Sequence, residues 1–278
     1  MKSKSMFALI IVVLLVIPLI AYSDQGQDFI EHGDKGVINW SRGIVQATGI
    51  GAPPEKLYGK PNARPMALRA AKLDAYRNIL EVLKGVRIDS TTIVKDYAVE
   101  SDIIMSKVEG MVQGAEVVKK EYLSDGTVEI TMQMALRGGF SQLVLPAEIK
   151  PLESINPVMP PQSSSAVYTG LVVDARGLHA RPAMSPKVQD ENGQEVYGSA
   201  FVSREYAVQQ GMSGYAKDVA AARTNQRVTD NPLVVKGLRA EGAGNSDIVI
   251  SNADASMLRS ASENLSFMKK CRVMIVVD

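Results

Sequence analysis

From Val128 to Leu136 two kinds of position alternate strictly: Val128, Ile130, Met132, Met134 and Leu136 are separated by Glu129, Thr131, Gln133 and Ala135. A period of two sends the two sets to opposite faces of a strand, so one face must meet an apolar surface. Asp125-Gly126 precedes the run and is a hairpin signal, which makes the stretch from Ala115 to Leu123 the partner strand. A different period governs the segment from about Arg64 to Lys84. There Leu68, Ala71, Ala75, Tyr76, Ile79, Val82 and Leu83 recur at helical spacing, and Arg69, Lys72, Arg77, Glu81 and Lys84 fall largely off that stripe. Asn62 is the expected N-cap, Pro65 suits the first turn, and Gly85 is the expected stop. The stripe and the strand face match, which predicts a long helix laid across an antiparallel sheet.

The same reading extends over the rest of the chain. VINWSRGIVQATG predicts one strand with Ile38, Trp40 and Ile44 on one side, interrupted by Arg42 and ended by glycines, and the proline-bearing GIGAPPEKLYGKPNARP a loop. VRIDSTTIV reads as a short extended piece. SDIIMSKVEGMV reads as a second helix, capped by Ser101 with Ile104, Val108 and Met111 in phase. Further on, AVYTGLVVDA predicts a strand, KVQDENGQEVYGSA a hairpin turning at Asn192-Gly193, and REYAVQQG one or two helical turns. GYAKDVAAARTNQRV is helical or irregular. PLVVKGLRAEG and SDIVISNAD read as strand, turn and strand, ASMLRSASENLSFM as a helix, and CRVMIVVD as the closing strand. The helix before that strand is placed to form a parallel crossover.

Composition changes the picture at the N-terminus. Lys2 and Lys4 precede an unbroken apolar run from Met6 to Ile20, which ends at Ala21-Tyr22-Ser23. This is a secretory signal pattern, with cleavage expected after Ser23; a retained single-span anchor is the alternative. Loss of two lysines with the leader turns the formal charge of +1 into −1, so there is no basic field to attract nucleic acid. The single cysteine, Cys271, excludes an intrachain disulfide, and Asp24 stands where a lipid-anchored lipoprotein would need a cysteine. Cys271 itself reads as a small core residue at the start of a buried strand.

About 255 residues then remain, enough for one large domain or two ordinary ones. The segment PLESINPVMPPQSSSAV holds four prolines and three consecutive serines with no apolar period, and is expected to be an exposed connector. The expected organisation is a signal peptide over 1–23, a polar lead-in over 24–35, an α+β domain over 36–150, a linker over 151–166 and a smaller mixed α+β domain over 167–278. In the first of these domains the long helix lies on a small antiparallel sheet.

The run ALRAAKLDAYRNILEVLKGVRIDSTTIV followed by SDIIMSKVEGMVQGAEVVKKEYLSDGTVEITMQMAL resembles the LPP20-type envelope lipoproteins and the N-terminal domain of the flagellar assembly protein FlgT. The resemblance covers roughly residues 36–140. It is carried by Ala75-Tyr76-Arg77, Gly85-Val86, Val108-Glu109-Gly110, Gly114-Ala115 and the Asp125-Gly126 hairpin. These residues build a fold, so the resemblance implies architecture and an exported envelope setting near the flagellar base or outer membrane, and no activity. The missing lipobox cysteine is a departure that bears on anchoring.

Candidate chemistry is sparse. GLHARPA at 177–183 matches the phosphorylation-site motif of the bacterial histidine phosphocarrier, which holds its histidine at a helix start. Here Pro182 and Pro186 follow and the text beyond turns as a hairpin, so the carrier reading is rejected. The expected structure is a loop turning at Gly177, whose Arg176, His179 and Arg181 are weak candidates for contact with an anionic polymer or a partner protein. His32 is the other histidine; two distant histidines make no zinc set. GAGNSD at 242–247 lacks a phosphate-loop context, and Asp190-Glu191 flank a turn. No catalytic residue, metal or cofactor is expected.

The expected function is that of a noncatalytic exported envelope protein, periplasmic or associated with the outer membrane, that assembles with other envelope proteins or flagellar basal-body components. An uncleaved N-terminal segment would add membrane association. The alternative is a periplasmic binding module for a cell-wall polymer or small ligand, acting through the C-terminal domain.

Overall fold

A computed structural model describes residues 28–96, 102–147, 149, 168–260 and 262–278. The expected signal segment, the proline-serine linker and the Ser101 cap lie outside the described residues. The fold is α+β, built on two sheets.

The first sheet contains β1 (Ile30–His32), β2 (Val37–Asn39), β3 (Ile44–Gly51), β4 (Glu116–Tyr122) and β5 (Val128–Ala135). Its order is β1-β2-β3-β5-β4, antiparallel throughout. The polar lead-in therefore ends in a strand. The single strand expected around Trp40 is a hairpin instead. Ile38 pairs with Val45, Asn39 O accepts from Gly43 N at 2.8 Å, and Gly43 takes a positive φ of 67°. Asn39 tightens this turn by accepting from Arg42 N at 2.9 Å through its side chain, a local bond that apolar periodicity does not register. The Asp125-Gly126 turn is present as expected, with Gly126 at φ 86° and Asp125 Oδ1 accepting from Thr127 N. The inward face of β5 is buried at Val128, Ile130 and Met132.

Helix α1 (Ala63–Lys84) crosses β3 and β5. Its buried seam is Ala63, Ala67, Ala71, Ala75, Ile79 and Leu83, every fourth residue, while Leu68, Tyr76 and Val82 are half-buried at its flank. The difference from the apolar stripe has a steric reason. A Cβ on Gly49 would stand 2.1 Å from Ala75 N, and one on Gly51 would stand 2.2 Å from Ala67 O. Small residues on both surfaces let the helix backbone descend onto the strand. Asp74 Oδ2 then accepts from Ile50 N at 2.9 Å, and Asn78 Nδ2 donates to Thr48 O at 2.8 Å. These side chains satisfy backbone groups of β3 that the shorter β2 does not reach. Helix α2 (Asp102–Val112) buries Val108 and Val112, and a short helix α3 (Gly139–Val144) follows β5.

The second sheet is mixed. It contains β6 (Gly170–Asp174), β7 (Val188–Gln189), β8 (Glu195–Tyr197), β9 (Gly214–Ala216), β10 (Pro232–Glu241), β11 (Asp247–Ile250) and β12 (Val273–Val276), in the order β8-β7-β11-β10-β6-β12-β9. The helices are α4 (Arg204–Gln210), α5 (Val219–Arg223), α6 (Asn252–Ser260) and α7 (Ser262–Lys269). GYAKDVAAARTNQRV thus contains a strand, β9, which is too short to show a period of its own. The expected parallel crossover between β11 and β12 does not occur. β11 is antiparallel to β10, β10 and β12 are both parallel to β6, and two strands separate β11 from β12.

β6, β11 and β12 lie in the middle of this sheet and are apolar on both faces. On β6, Leu171 and Val173 enter the large core, and Val172 joins a smaller cluster with Ala216, Ala222, Val228, Met274 and Val276 at α5. The large core continues into the first sheet, through Trp40, Val45, Ile79, Ile88 and Ile130. Complete burial of a side chain such as Leu171 or Ile130 contributes about 1.5–3 kcal/mol. One apolar core therefore joins the two sheets.

Candidate functional site

Two polypeptide turns carry the junction between the sheets. One is the segment after α1, Val86 to Val94, closed by an Arg87–Ile93 bridge. Val86 and Ile88 are buried there, and Arg87 and Ser90 reach the second half of the chain, at Pro182 and Asp247. The other is the loop from Ala175 to Lys187, which leaves β6 and contains GLHARPA. Met184 N donates to Arg87 O at 3.0 Å and Ser185 N donates to Ile88 O at 2.6 Å, so backbone hydrogen bonds join the two segments directly. Pro182 and Pro186 are buried in this contact. Prolines fit because their missing N–H groups leave no donor unsatisfied inside the junction.

The side chains that complete the junction are polar. Arg87 Nε donates to Pro182 O at 2.8 Å, Arg87 Nη2 donates to Glu31 Oε2 at 2.6 Å, and the guanidinium lies 5.9 Å from the Trp40 ring centre. Trp40 Nε1 also donates to Glu31 Oε2, at 2.8 Å, and Arg181 Nη2 donates to Glu31 Oε1 at 3.3 Å. Burial alone would raise the Glu31 carboxyl. The hydrogen bond and charge of Arg87, with the Trp40 and Arg181 bonds, outweigh it and hold the group below its ordinary value. The Tyr215 hydroxyl both accepts from Ala183 N at 3.0 Å and donates to Ala183 O at 2.8 Å, and its ring meets Trp40 edge-on at 5.8 Å. Burial pushes the Tyr215 hydroxyl well above the usual phenol range, so it stays protonated.

Beside Glu31 the surface opens into a cleft of about 300 Å³, lined by Glu31, His32, Lys35, Glu81, Arg87 and Arg181 among others. Both charge signs are present, and the two arginines are already engaged by Glu31. The arrangement suits a hydrogen-bonded contact with a polar group of a partner. There is no serine, threonine or cysteine among the described residues that line the cleft. Among the described residues no group of three or more His, Cys, Asp or Glu side chains is placed to hold a metal ion.

The three residues singled out in the sequence separate here. Arg176 lies against Asp174 in a two-pronged pair, with Nε and Nη2 each 2.8 Å from a carboxylate oxygen. That hydrogen bond holds Asp174 below its ordinary value and raises Arg176. His179 is exposed at the end of the turn with φ 53°, and no helix begins there. Arg181 alone reaches the junction. Gly177 supplies the turn at φ 77°, and its N–H donates to Asp278 Oδ2.

Glu31, Trp40, Arg87, Ser90, Tyr215 and Asp247 did not stand out in the sequence. A signal existed only for Arg87, a lone charge between the apolar Val86 and Ile88. The other motifs have structural places. Gly242 and Gly244 of GAGNSD lie against Ser90, where Gly244 N donates to Ser90 O at 2.6 Å. Asp190 accepts from Asn192 N, Gln194 N and Arg259, and Glu191 accepts from Asn252 N at the start of α6. Cys271 is buried, and burial raises its thiol to about 12, which leaves it an unreactive core group. Among the described residues no helix is long and apolar enough to cross a membrane.

Comparison with known proteins bears on the second sheet. No curated protein matches the chain. The family described as Treponema pallidum Tp0624, second domain, matches residues 170–278, from the first residue of β6 onward. Less than half of the chain is covered, and the match takes in the seven-stranded sheet with its helices and the whole junction loop from Ala175 to Lys187. That part of the chain is similar to the second domain of Tp0624.

Proposed function

We propose that this is a noncatalytic exported envelope protein that assembles with other envelope proteins by strand addition at β4. The observation that carries the reading is the state of that strand. Every residue from Glu116 to Tyr122 is exposed, β4 pairs among the described residues only with β5, and α1 lies over β3 and β5. Val117, Val118, Tyr122 and the adjoining Leu123 are 40 to 51 % exposed. An edge with free backbone groups and apolar side chains is a surface for a partner strand. The charges of Glu116, Lys119, Lys120 and Glu121 and the irregular pairing between Val117 and Lys119 discourage indiscriminate addition. The N-terminal leader pattern supports export. The resemblance over residues 36–140 supports an envelope or flagellar-base setting.

The test is co-purification from gently solubilised envelopes. The wild-type chain is expected in a stoichiometric complex, and a Val117→Lys, Val118→Lys variant is expected to fold normally and leave it. An unchanged complex in that variant overturns strand addition at β4. Retention on purified cell wall without protein partners would favour polymer binding through the C-terminal half, and recovery of the chain in the cytosol would overturn export.

A further inference from the structure

A second small cleft lies on the other side of Trp40 and Tyr215, where α3 and the turn after α4 meet the junction. Its walls include Gly43, Arg137, Ser141, Gly211, Ser213 and Tyr215, and the free space is about 30 Å³. That is enough for one water-sized group or slightly more.

The groups around it share one electrostatic problem. Arg137 is half-buried, stands over Gly43, and among the described residues makes a single long hydrogen bond, from Nη2 to Ser41 O at 3.4 Å. Arg227, close behind, is more deeply buried and donates only to carbonyls, those of Gly211 at 3.0 Å, Cys271 at 2.8 Å and Gln210. Among the described residues neither arginine has a carboxylate within ion-pair distance. Burial lowers both guanidinium groups, and Arg137 adds repulsion at Arg227. The hydroxyl of Ser213, on the cleft wall beside Tyr197, is buried and makes no hydrogen bond of acceptable geometry. Tyr197 directs its own hydroxyl to Met212 O at 2.5 Å. Arg137, with its one long hydrogen bond, the Ser213 hydroxyl and room for one small group call for the same complement, and Arg227 behind the wall adds positive charge. A buried charge or hydroxyl without a partner is costly, and an anion there would serve both Arg137 and Ser213.

We propose that this cleft binds one small monovalent anion between the Arg137 guanidinium and the Ser213 hydroxyl, a halide or the head of a carboxylate. The space excludes a polymer or a nucleotide. The proposal is independent of the strand-addition reading, because β4 lies at the far edge of the first sheet, with β5 between it and the β2–β3 hairpin at Trp40.

The experiment is thermal unfolding of the full chain at constant ionic strength in sodium chloride, sodium acetate or the bulkier sodium isethionate. At an anion concentration about a hundred times Kd the Tm should rise by on the order of 5 °C over isethionate. Arg137→Gln should abolish the rise, Ser213→Ala should reduce it, and Arg176→Gln, outside the cleft, should keep it. A gain with chloride assigns a free inorganic ion, and a gain with acetate alone assigns a carboxylate donated by a small acid or a partner chain. Equal Tm in the three salts means that the cleft holds water only and overturns the proposal, as does an undiminished rise in Arg137→Gln. If that variant does not fold, a bromide-soaked crystal of the wild type decides: an anomalous peak within about 3.5 Å of the Arg137 nitrogens supports the site, and its absence overturns it.

Discussion

Ser90 Oγ donates to Asp247 Oδ2 at 2.6 Å and so ties the segment after α1 to the first residue of β11, across the junction of the two sheets. Asp247 Oδ1 accepts a second bond from Lys187 N at 3.1 Å. Burial nevertheless raises its carboxyl above the ordinary value of 3.8, more than these hydrogen bonds and the charge of Lys187 lower it. The sign follows from linkage. A carboxyl whose folded value is raised contributes stability below its unfolded value, and that contribution is lost as pH rises through the folded value.

Asp247→Asn should therefore keep most of the stability near neutral pH, since the amide can accept from Lys187 N while the Ser90 hydroxyl turns to accept from it. Asp247→Ala leaves the Lys187 N–H and the buried Ser90 hydroxyl without a partner and should cost about 1–3 kcal/mol. Urea unfolding of both variants at neutral pH checks the difference.

Glu31 carries the opposite sign. Its folded value lies below the ordinary 4.5, so its contribution is present above that value and is lost as pH falls through the folded one. Glu31→Gln should flatten the acid limb of the stability curve. Glu31→Ala, which strands the buried Arg87 charge, should cost about 3 kcal/mol. Denaturation midpoints measured from neutral pH down to about pH 3 test both statements.

Gly49→Ala should be among the most damaging single changes in the first sheet. The added methyl would meet helix backbone, 2.1 Å from Ala75 N and 2.3 Å from Ala71 O, so no rotamer change relieves it. A loss of about 3 kcal/mol or more is expected from overpacking against an immobile element, read from the thermal midpoint.

Tyr215→Phe removes a hydroxyl that serves both the N–H and the C=O of Ala183. Two buried backbone groups are left without partners, and a loss of about 1–3 kcal/mol is expected, with faster hydrogen exchange at Ala183. His179→Ala, by contrast, changes an exposed turn residue and should stay within about 0.5 kcal/mol of wild type. A larger loss would show that the imidazole has a structural role.

Much of the local architecture was legible in the chain. The alternation from Val128 to Leu136, the Asp125-Gly126 turn, the span of α1 and the Asn192-Gly193 hairpin follow from periodicity and turn chemistry, which depend on neighbouring residues only. The hairpin at Trp40 was not legible, because Asn39 and Gly43 build a four-residue turn inside an apolar alternation that only Arg42 interrupts. Strand order in the second sheet was equally hidden. Short apolar strands such as β6, β11 and β12 are interchangeable by composition, and only long-range pairing places β6 between β10 and β12.

The junction divides the two sources of information most sharply. Its loop character was determined by Gly177, Pro182 and Pro186, which no helix or strand accommodates without cost. What the loop does was decided by tertiary structure alone. Glu31, Arg87, Arg181 and Tyr215 lie far apart along the chain, and their charges and hydroxyls acquire meaning only when packing excludes water and brings their partners within about 3 Å.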